Sequence, residues 1–500
     1  MRRSWIAVVA ALAGAILLMP ACRLVGPNYK PPAAPVPDLW HQELSEQLHK
    51  RQLDLQAWWT TLTDPLLEDL IRQARDNNLT TKQALSVIRE SRLRRAVVNR
   101  NLQPAVDISG SYTRAKSSAQ DPLFSKLPNG SPTPFNLYNA GFDVSWEADV
   151  FGHVRRSVEA ADAGVGASIE TYRDVLVTLF SEVARNYVDL RTFQQRIVYA
   201  ESNIKLQSES LKLAKSRFES GLTGRLDLEQ AQSNLSNTKS VLPSLLLGQE
   251  VVLNQLALLL SVQPGTLPRD LVRSAPIPAP PDDVAVGLPV NLLRQRPDIR
   301  RAERILALET ARIGIATADL YPRFGLVGDL GVATTNLSRF GGAGAFGITP
   351  FFRWNIFNRG RIRDTIKAQE EVTQQALFSY ENTVLFALAG AESAIVAFRE
   401  EKRRLEALRE AVAATERATG LVRTLYDTGL TDFQNVLDTE RTLFLQQDQL
   451  AVSEGQVTKN LISLYKALGG GWSAATGPPE AQPMRPNEES KADFGVDPES

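Results

Sequence analysis

The stretch Phe218-Glu219-Ser220-Gly221-Leu222-Thr223 occurs again 208 residues later, as Tyr426-Asp427-Thr428-Gly429-Leu430-Thr431. Each copy lies between two long helical patterns and follows a pair of short segments in which apolar and polar residues alternate. Repeated units share one architecture, so the 500 residues form two copies of one plan rather than several unrelated domains. The plan combines very long helices with strands of the kind that membrane barrels use.

Both copies contain one very long helix whose apolar residues recur at intervals of seven. In the first copy a helix of about 65 residues, roughly 100 Å long, is predicted from about Arg155. Its series is Ile169, Leu176, Val183, Leu190, Ile197, Ile204, Leu211 and Phe218. The second series is Leu377, Val384, Ala391, Phe398, Leu405, Val412, Thr419 and Tyr426. A strict seven-residue period indicates left-handed coiled-coil packing, and a shorter helix with the same spacing follows each glycine turn.

Two pairs of alternating segments precede the long helices. In the first copy they run from Val106 to Thr113 and from Asn139 to Glu147. In the second copy the apolar members are Phe324, Leu326, Leu330 and Val332, and then Phe346, Ile348, Phe352, Trp354 and Ile356. Alternation over about ten residues is typical of a barrel strand with its apolar side toward lipid. A half-buried sheet of a soluble domain alternates in the same way.

Closure of such a barrel requires more than one chain. After Cys22 no run of 18 apolar residues occurs, so the sequence predicts no membrane-spanning helix. A chain that crosses a membrane without such helices must use a closed barrel. Four strands cannot close one, since single-chain barrels begin at about eight strands. The sequence therefore predicts an oligomer.

Proline and glycine residues, together with the ends of the seven-residue patterns, divide the chain into six segments. These are a signal peptide (1–21), a proline-rich strap (22–63), the first repeat (64–263), a proline-rich linker (264–290), the second repeat (291–468) and a disordered tail (469–500). Asp64-Pro65 predicts the start of a helix that runs to Gln103. Its counterpart in the second repeat covers 291–321 and stops at Pro322.

The N-terminus predicts export and lipid modification. Arg2 and Arg3 precede the apolar stretch 6–19, which is too short to span a membrane and reads as a secretory signal. Cys22 follows directly, as in a bacterial lipobox, and is the candidate acylation site. The alternative is an ordinary signal peptide with an incidental cysteine. Because Cys22 is the one cysteine of the sequence, a disulfide within the chain is excluded.

The overall composition narrows the class of protein. The 56 basic and 56 acidic residues balance, and no basic stripe indicates a nucleic-acid partner. With three His and three Met in the chain, a metal site rich in these residues is not predicted. His41, His49 and His153 lie in unrelated segments, and no nucleophile motif or phosphate-binding glycine loop occurs. The sequence therefore predicts no enzyme and no cofactor besides a lipid on Cys22.

The stretch Cys22-Arg23-Leu24-Val25-Gly26-Pro27-Asn28-Tyr29-Lys30-Pro31-Pro32 resembles the acylated N-terminus of NodT-type outer membrane lipoproteins. These are TolC-like outer membrane factors of tripartite efflux pumps. The resemblance covers nearly the whole mature chain, including both glycine turns, both strand pairs and the linker. It implies an α+β homotrimer, in which a twelve-stranded outer membrane barrel, four strands per chain, continues into a long α-helical coiled-coil barrel in the periplasm. The implied partners are outer membrane lipid, a periplasmic adaptor and an inner-membrane pump of the resistance-nodulation-division type.

The resemblance also assigns a periplasmic gate. Asp438 matches the aperture aspartate of the family, and three such carboxylates around an axis would repel one another and bind cations. Asn435 stands where relatives often carry a second Asp, and Gln434 lies beside it. The alternative for Asp438 is a solvated acid on a helix face.

Further gate and docking residues follow from the same resemblance. Tyr426 and Asp227 match residues whose hydroxyl–carboxylate bond holds the tip closed. Tyr426 also lies in the heptad series, so a packing role is the alternative. Thr431 replaces an arginine that some relatives use as a latch. The adaptor-docking candidates are Gly221-Leu222-Thr223 and Gly429-Leu430-Thr431, although each glycine is also what a tight turn needs.

A passive outer membrane exit duct for small molecules, supplied by an inner-membrane pump and an adaptor, is the leading interpretation. The same architecture would serve as the outer membrane duct of a type I protein secretion system. A structural envelope coiled coil without a pore is the alternative from another class of protein.

Overall fold

The computed structural model describes residues 24–33, 36–41, 48–49, 55–116, 134–281, 284–285, 287, 289–338 and 344–473. The predicted signal peptide, the candidate acylation site Cys22 and the chain beyond Ser473 lie outside this part. The chain forms two compact units, each built from both copies of the repeat. The sheet unit combines the N-terminus up to Pro32 with Arg89–Ala167 and Ala302–Tyr380, and the helical unit comprises Ala33–Ile88, Ser168–Arg301 and the chain from Glu381 onward.

Seven helices of more than ten residues occur in the described part of the chain. In order they are α1 (Pro65–Asn77), α2 (Leu79–Arg100), α3 (His153–Glu219), α4 (Arg225–Leu260), α5 (Pro297–Ala318), α6 (Arg359–Asp427) and α7 (Phe433–Ala467). The long helices α3 and α6 contain 67 and 69 residues. In α6 the heptad residues from Val384 to Tyr426 are buried, and α7 buries Val436, Leu443, Leu450, Val457 and Leu464. The seven-residue period therefore marks the packed sides of these helices, as predicted.

The two shorter helices that precede the strands are interrupted. Asp64 caps α1 by accepting hydrogen bonds from the backbone N–H groups of Leu66 and Leu67. The prediction of one helix up to Gln103 is wrong, because the chain is extended at Asn78, whose amide oxygen accepts from the Thr81 N–H and caps α2. The predicted helix over 291–321 is also divided. Its first part, Leu292–Gln295, ends before Pro297, since a proline disfavours helical geometry at the residue that precedes it.

The glycine turns that follow α3 and α6 have the same geometry. Gly221 and Gly429 adopt φ angles of +70° and +76°. Leu222 N–H donates to the carbonyl of Arg217, and Leu430 N–H donates to the carbonyl of Leu425, each at 2.8 Å. This bond ends the helix, and the glycine that precedes the donor has the left-handed backbone conformation, which glycine adopts at the lowest cost in free energy. The duplication seen in the sequence is thus a duplication of backbone structure.

Four strands form one antiparallel sheet in the order β1 (Ala105–Ala115), β2 (Phe135–Ala148), β3 (Arg323–Thr334) and β4 (Gly344–Arg353). The two predicted strand pairs are therefore joined, through β2 and β3. Trp354 and Ile356, which the alternation assigned to the last strand, lie beyond its end at Arg353. The Trp354 indole donates to the carbonyl of Leu320 at 2.9 Å, and the indole of Trp146, which lies within β2, donates to the carbonyl of Leu102 at 3.0 Å.

The two faces of the sheet differ in polarity. Ile108, Phe142, Leu330 and Phe346 form one row across the four strands. Their exposed fractions are 78%, 48%, 62% and 79%. In the adjacent row, on the opposite face, Asp107, Asp143 and Asp329 face one another across three strands. The sheet thus presents an exposed apolar face and an acidic one.

The strap and the linker contain more structure than their proline content predicts. Residues Trp58–Leu62 of the strap form a 3-10 helix, and the fully buried Trp58 stacks on Tyr465 with 5.4 Å between ring centroids. Linker residues 269–272 form a short helix, and Gln194 donates to the carbonyl of Leu271 at 2.8 Å. The linker strand Val284–Ala285 pairs in parallel with Leu48–His49. Side chains of the long helices therefore hold these segments in place.

The chain after α7 is anchored for its first few residues. Gly471 N–H donates to the carbonyl of Leu55, and the Trp472 indole donates to the carbonyl of Gln295, both at 2.8 Å. The Arg173 guanidinium lies 4.4 Å from the centroid of the Trp472 ring. The predicted disorder therefore does not begin at Gly469.

Two helices, α4 and α6, each contain an 18-residue window with a mean hydropathy of 1.3, apolar enough to cross a membrane by length and composition. The sequence predicted no such helix. Only 28% and 33% of the residues in these windows are buried within the chain. The exposed remainder includes the large apolar side chains Leu247, Leu258, Leu385 and Phe386.

Candidate functional site at the glycine turns

The two glycine turns share one hydrophobic cluster within the helical unit. Its buried members are Ala214, Ala231, Tyr426, Phe433, Val436 and Leu437. They come from α3, α4, α6 and α7, so the ends of four helices pack together although the turns are 208 residues apart in sequence. We call this region the tip. All the predicted gate and docking residues lie in or next to it.

Arg217 connects the first turn to the second and was not singled out by the sequence. Its guanidinium donates to the carbonyls of Tyr426 and Asp427, at 2.8 and 3.0 Å. These carbonyls end α6 and have no partner within that helix. The guanidinium also lies 4.9 Å from the centroid of the Tyr426 ring. A basic residue in the last turn of α3 is the one signal that the sequence offers for this contact.

Tyr426 is buried in the hydrophobic cluster of the tip, as its position in the heptad series predicts. The side chain is 3% exposed, and its ring packs against Phe433 with 5.0 Å between centroids. Its hydroxyl makes no hydrogen bond of ordinary geometry among the residues that the structure describes. Burial, followed by the nearby Asp227 carboxylate, raises the pKa of Tyr426. The structure thus brings the predicted latch pair together without forming its hydrogen bond.

The remaining predicted gate residues lie on the exposed first turns of α7. Gln434 donates from its amide to the Asp438 carboxylate at 2.9 Å, and Asn435 donates to the Thr431 hydroxyl at 2.8 Å. The first bond joins residues four apart on one face of α7, and the second joins α7 to Thr431, the residue before its N-cap Asp432. Asp438 is exposed within one chain. A ring of such carboxylates requires further copies of the chain.

The docking candidates are exposed at both turns. Leu222 and Leu430 expose 66% and 75% of their surfaces. A Cβ atom added at Gly221 would meet nothing within 4 Å. The turn therefore needs glycine there for its positive φ and not for lack of space. Two apolar side chains held out by rigid turns form a surface that a partner can cover.

A second unpredicted residue, Glu440, lies inside the tip end of α7. It is 1% exposed and accepts hydrogen bonds from the Ser210 hydroxyl and, at 3.5 Å, from the Asn234 amide. No Lys, Arg or His within the described chain forms an ion pair with it. Burial raises the pKa of Glu440, whereas the Ser210 bond and the more distant Arg423 lower it by less.

The buried Glu440 predicts a stability that depends on pH. The carboxyl titrates at 4.5 when exposed and at higher pH in the folded chain, so the folded state binds more protons between these two pKa values. The free energy of unfolding therefore falls as pH rises through this window and is level above it. We expect Glu440→Gln to raise Tm at pH 7 by on the order of 2 °C and to leave Tm at pH 4.5 unchanged. The exposed Glu410→Gln is the control, and an equal response of both variants to pH would contradict the assignment.

The donor groups of the tip do not suggest a metal site. In the part of the chain with described coordinates, no group of three or more His, Cys, Asp or Glu side chains is placed to hold a metal ion.

The three aligned acids Asp107, Asp143 and Asp329 belong to the sheet and lie on its polar face. They give this face a negative charge, which in a channel would favour cations.

Comparison with known proteins identifies the chain's relatives. The sequence profile of the outer membrane efflux protein family matches residues 70–261 and 288–470, one stretch in each copy of the plan. Nodulation protein T of Rhizobium leguminosarum bv. trifolii is 28% identical over 459 residues, which cover 91% of this chain and 96% of that protein. The probable efflux pump outer membrane protein SepC of Pseudomonas putida is 30% identical over 469 residues, covering 92% and 96%.

Solved structures give the same result. The outer-membrane channel OprN is 31% identical with a TM-score of 0.84, covering 90% of this chain and all of that one. The channel CusC is 26% identical with a TM-score of 0.77, covering 89% of this chain and all of that one. The similarity therefore extends over both units and is not confined to one motif.

Proposed function

The chain belongs to the outer membrane efflux protein family, and we propose that it is the passive exit duct of a tripartite pump. Members of this family are efflux channels of the outer membrane and not enzymes, and this holds for the present chain. In the proposed assembly an inner-membrane pump of the resistance-nodulation-division type delivers small molecules through a periplasmic adaptor. The molecules then leave through a channel formed by several copies of this chain.

The observation that carries the proposal is the four-stranded sheet with two unlike faces. Both edge strands, β1 and β4, have one side without a strand partner in the described chain. In lipid every backbone N–H and C=O needs a partner, so such edges must close on other copies. Three copies would give twelve strands, with apolar side chains outward and the acidic row inward. The exposed apolar side chains of α4 and α6 would then be covered by neighbouring copies in a homotrimer.

The tip supplies the proposed gate and docking surface. Leu222 and Leu430, with the flanking Gly221, Thr223, Gly429 and Thr431, would contact the adaptor. Tyr426 and Asp227 would hold neighbouring helices together in the closed state, and Asp438, with Gln434 and Asn435, would line the aperture. These roles are supported by exposure at the turns and by the shared hydrophobic cluster beneath them.

Asp438 is expected to limit the passage of ions through the aperture. Replacing it with Ala removes one carboxylate per chain from the proposed ring, so we expect higher single-channel conductance and weaker cation preference in planar bilayers. The control is Asp432→Ala, since Asp432 precedes α7 and makes no capping hydrogen bond with its side chain. Unchanged conductance and selectivity in Asp438→Ala would remove this residue from the gate.

The N-terminal and domain assignments complete the proposal. We propose that residues 1–21 are removed, that Cys22 carries the lipid anchor, and that the segments 22–63, 64–263, 264–290, 291–468 and 469–500 divide the mature chain. Mass spectrometry of the purified protein tests this, because an acylated N-terminal peptide that begins at Cys22 is expected. An N-terminus without lipid would favour the ordinary signal peptide.

Reconstitution tests the function itself. We expect discrete single-channel currents from the purified chain in planar bilayers, and greater sensitivity to exported compounds when the gene is deleted. Absence of current would favour the structural coiled coil. Loss of secretion of one protein substrate, with unchanged sensitivity to small molecules, would favour the type I secretion duct. The genes for the adaptor and the pump, if adjacent, would identify the partners.

A further inference from the structure

The two copies of the plan differ where the last strand of each pair passes into the long helix. Trp146 and Trp354 lie 208 residues apart and make the same hydrogen bond to the end of the preceding segment. With this spacing, Gly152 corresponds to Gly360. Charged and aromatic side chains lie within five residues of each glycine in the sequence. The two sets of side chains at equivalent positions can therefore be compared directly.

In the first copy these side chains are satisfied within the chain. Asp149 accepts from the N–H groups of Val154 and Arg155 and from the Arg155 guanidinium, the last at 3.1 Å. Phe151 stacks on Tyr321 with 4.6 Å between centroids. His153 lies 3.8 Å from the Asp319 carboxylate. Each group has an internal partner, so this surface has no charge left to neutralise.

In the second copy the equivalent side chains have no such partners within the described part of the chain. Phe357 stands at the position of Asp149 and is 95% exposed. Arg359, Arg361 and Arg363 stand at the positions of Phe151, His153 and Arg155, and all three are exposed. No side-chain hydrogen bond or ion pair joins any of the three arginines to another described residue. The loss of the capping aspartate leaves Arg363 without the partner that Arg155 has.

The exposed residues of this segment directly follow the apolar face of β4. Phe352, on the same face as Ile348, exposes 69% of its surface, and Trp354, just beyond the strand, exposes 45%. Aromatic side chains followed by basic ones are what a protein presents where the hydrocarbon of a membrane meets its head groups. Arginine in particular binds phosphate oxygens through two parallel hydrogen bonds. We call Trp354, Phe357, Arg359, Arg361 and Arg363 the collar.

We propose that the collar binds the phosphate groups of anionic phospholipids at the membrane surface next to the helix end of the sheet. The inference rests on the outer membrane location and is independent of the compounds exported. Three exposed guanidinium groups with a single nearby acid in sequence, Asp364, give the charge complementarity. An exposed Phe357 beside them supplies apolar contact with the acyl chains.

A second copy of the chain is the competing occupant of this surface. In the first copy the partners of Phe151 and His153 are Tyr321 and Asp319, which lie just before Pro322. The equivalent residues before Pro104 are Gln103 and Asn101, and these would be offered by a neighbouring chain. Both are neutral and supply no counter-charge for three arginines. Contact with these two residues would therefore leave the positive charge of the collar uncompensated, whereas anionic lipid would neutralise it.

Lipid selectivity in reconstituted vesicles tests the proposal. Wild-type protein is placed in vesicles of phosphatidylcholine containing spin-labelled phosphatidylglycerol or spin-labelled phosphatidylcholine, and the immobilised fraction of each probe is measured. We expect a preference for phosphatidylglycerol that falls with added salt. Replacing all three arginines, Arg359→Gln, Arg361→Gln and Arg363→Gln, should lower it by at least about fivefold, the factor expected for one basic residue near an anionic surface.

Two further variants separate local recognition from overall charge and from folding. The triple change Lys205→Gln, Lys239→Gln and Arg417→Gln removes the same charge from exposed positions of the helical unit and should leave the preference unchanged. Phe357→Asp restores the capping acid of the first copy and should lower the preference without removing an arginine. Flotation with pure phosphatidylcholine vesicles checks that every variant inserts.

The outcomes separate this inference from the proposed function. A wild-type protein that inserts but shows no preference overturns the collar, and so does an equal loss in the two triple variants. Loss of oligomers in the arginine variant, with lipid preference unchanged, would assign the surface to a second copy. A wild-type protein that inserts and prefers phosphatidylglycerol but does not conduct would count against the exit duct and not against the collar, whereas failure to insert would count against both.

Discussion

Ile348→Arg is expected to prevent assembly of the protein in a membrane. Ile348 is 70% exposed on the apolar face of β4, so in the proposed barrel its side chain contacts lipid. An arginine on the lipid side near the middle of a membrane strand costs roughly 2–4 kcal/mol. A trimer would carry the change three times, which is comparable to the whole stability of an ordinary domain. We therefore expect the variant to be absent from the membrane fraction and from the oligomer band.

The adjacent residue offers a matched control on the same strand. Thr349 lies on the opposite, polar face and pairs with Val327 in the register of β3 and β4. Thr349→Arg adds the same side chain at nearly the same depth, but toward the proposed water-filled interior. This variant should assemble and should show reduced cation preference. An Ile348→Arg protein that floats with vesicles as well as Thr349→Arg would show that this face does not meet lipid.

Arg217→Ala is expected to loosen the tip and to raise single-channel conductance. The guanidinium makes two hydrogen bonds to the end of α6 and lies over the Tyr426 ring. Hydrogen bonds that involve a charged group contribute about 1.5–3 kcal/mol each. Loss of a few kcal/mol from the closed arrangement shifts the ratio of closed to open tips by on the order of a hundredfold. We expect long-lived open events that are rare in the wild-type channel.

Two variants show whether the effect belongs to this arginine. Arg423→Ala removes a guanidinium of the same region whose partner is the Glu209 carboxylate at 3.2 Å, on the surface of the tip. Exposed ion pairs contribute about 0–1 kcal/mol, so little change in conductance is expected. Arg217→Lys keeps the charge and can still donate to these carbonyls, since both bonds of Arg217 come from one nitrogen, Nη1. It loses the planar group that lies over the Tyr426 ring, and should restore closure in part. Equal conductance of Arg217→Ala and wild type would exclude Arg217 from closure of the tip.

The part of the fold that repeats along the chain could be predicted, because local spacing encodes it. The heptad residues of α6 and α7 are buried as their period requires, and both glycine turns have the left-handed φ that their residue type suggests. Alternation placed the strands but not their ends. Trp354 continues the pattern, yet β4 ends at Arg353, whose partner Arg323 is the first residue of β3.

The candidate site was predicted unevenly for a related reason. Leu222, Leu430 and Asp438 were identified because they stand next to a turn or in a recognisable motif. Arg217 and Glu440 were not, although they make the most specific contacts of the tip. Basic and acidic residues are common on exposed helix faces, and nothing in their own neighbourhood of sequence distinguishes these two.

By itself the sequence determined the duplication, the lengths of the two long helices, the turns and the polarity of the sheet, since each depends on residues a few positions apart. Only the tertiary structure decided which charges are neutralised. Arg217 and its acceptor Tyr426 are separated by 209 positions, and Ser210 and Glu440 by 230. Packing at such separations depends on how the helices meet. It also decided that Arg155 has a partner, whereas Arg363, its counterpart in the second copy, has none among the residues that the structure describes.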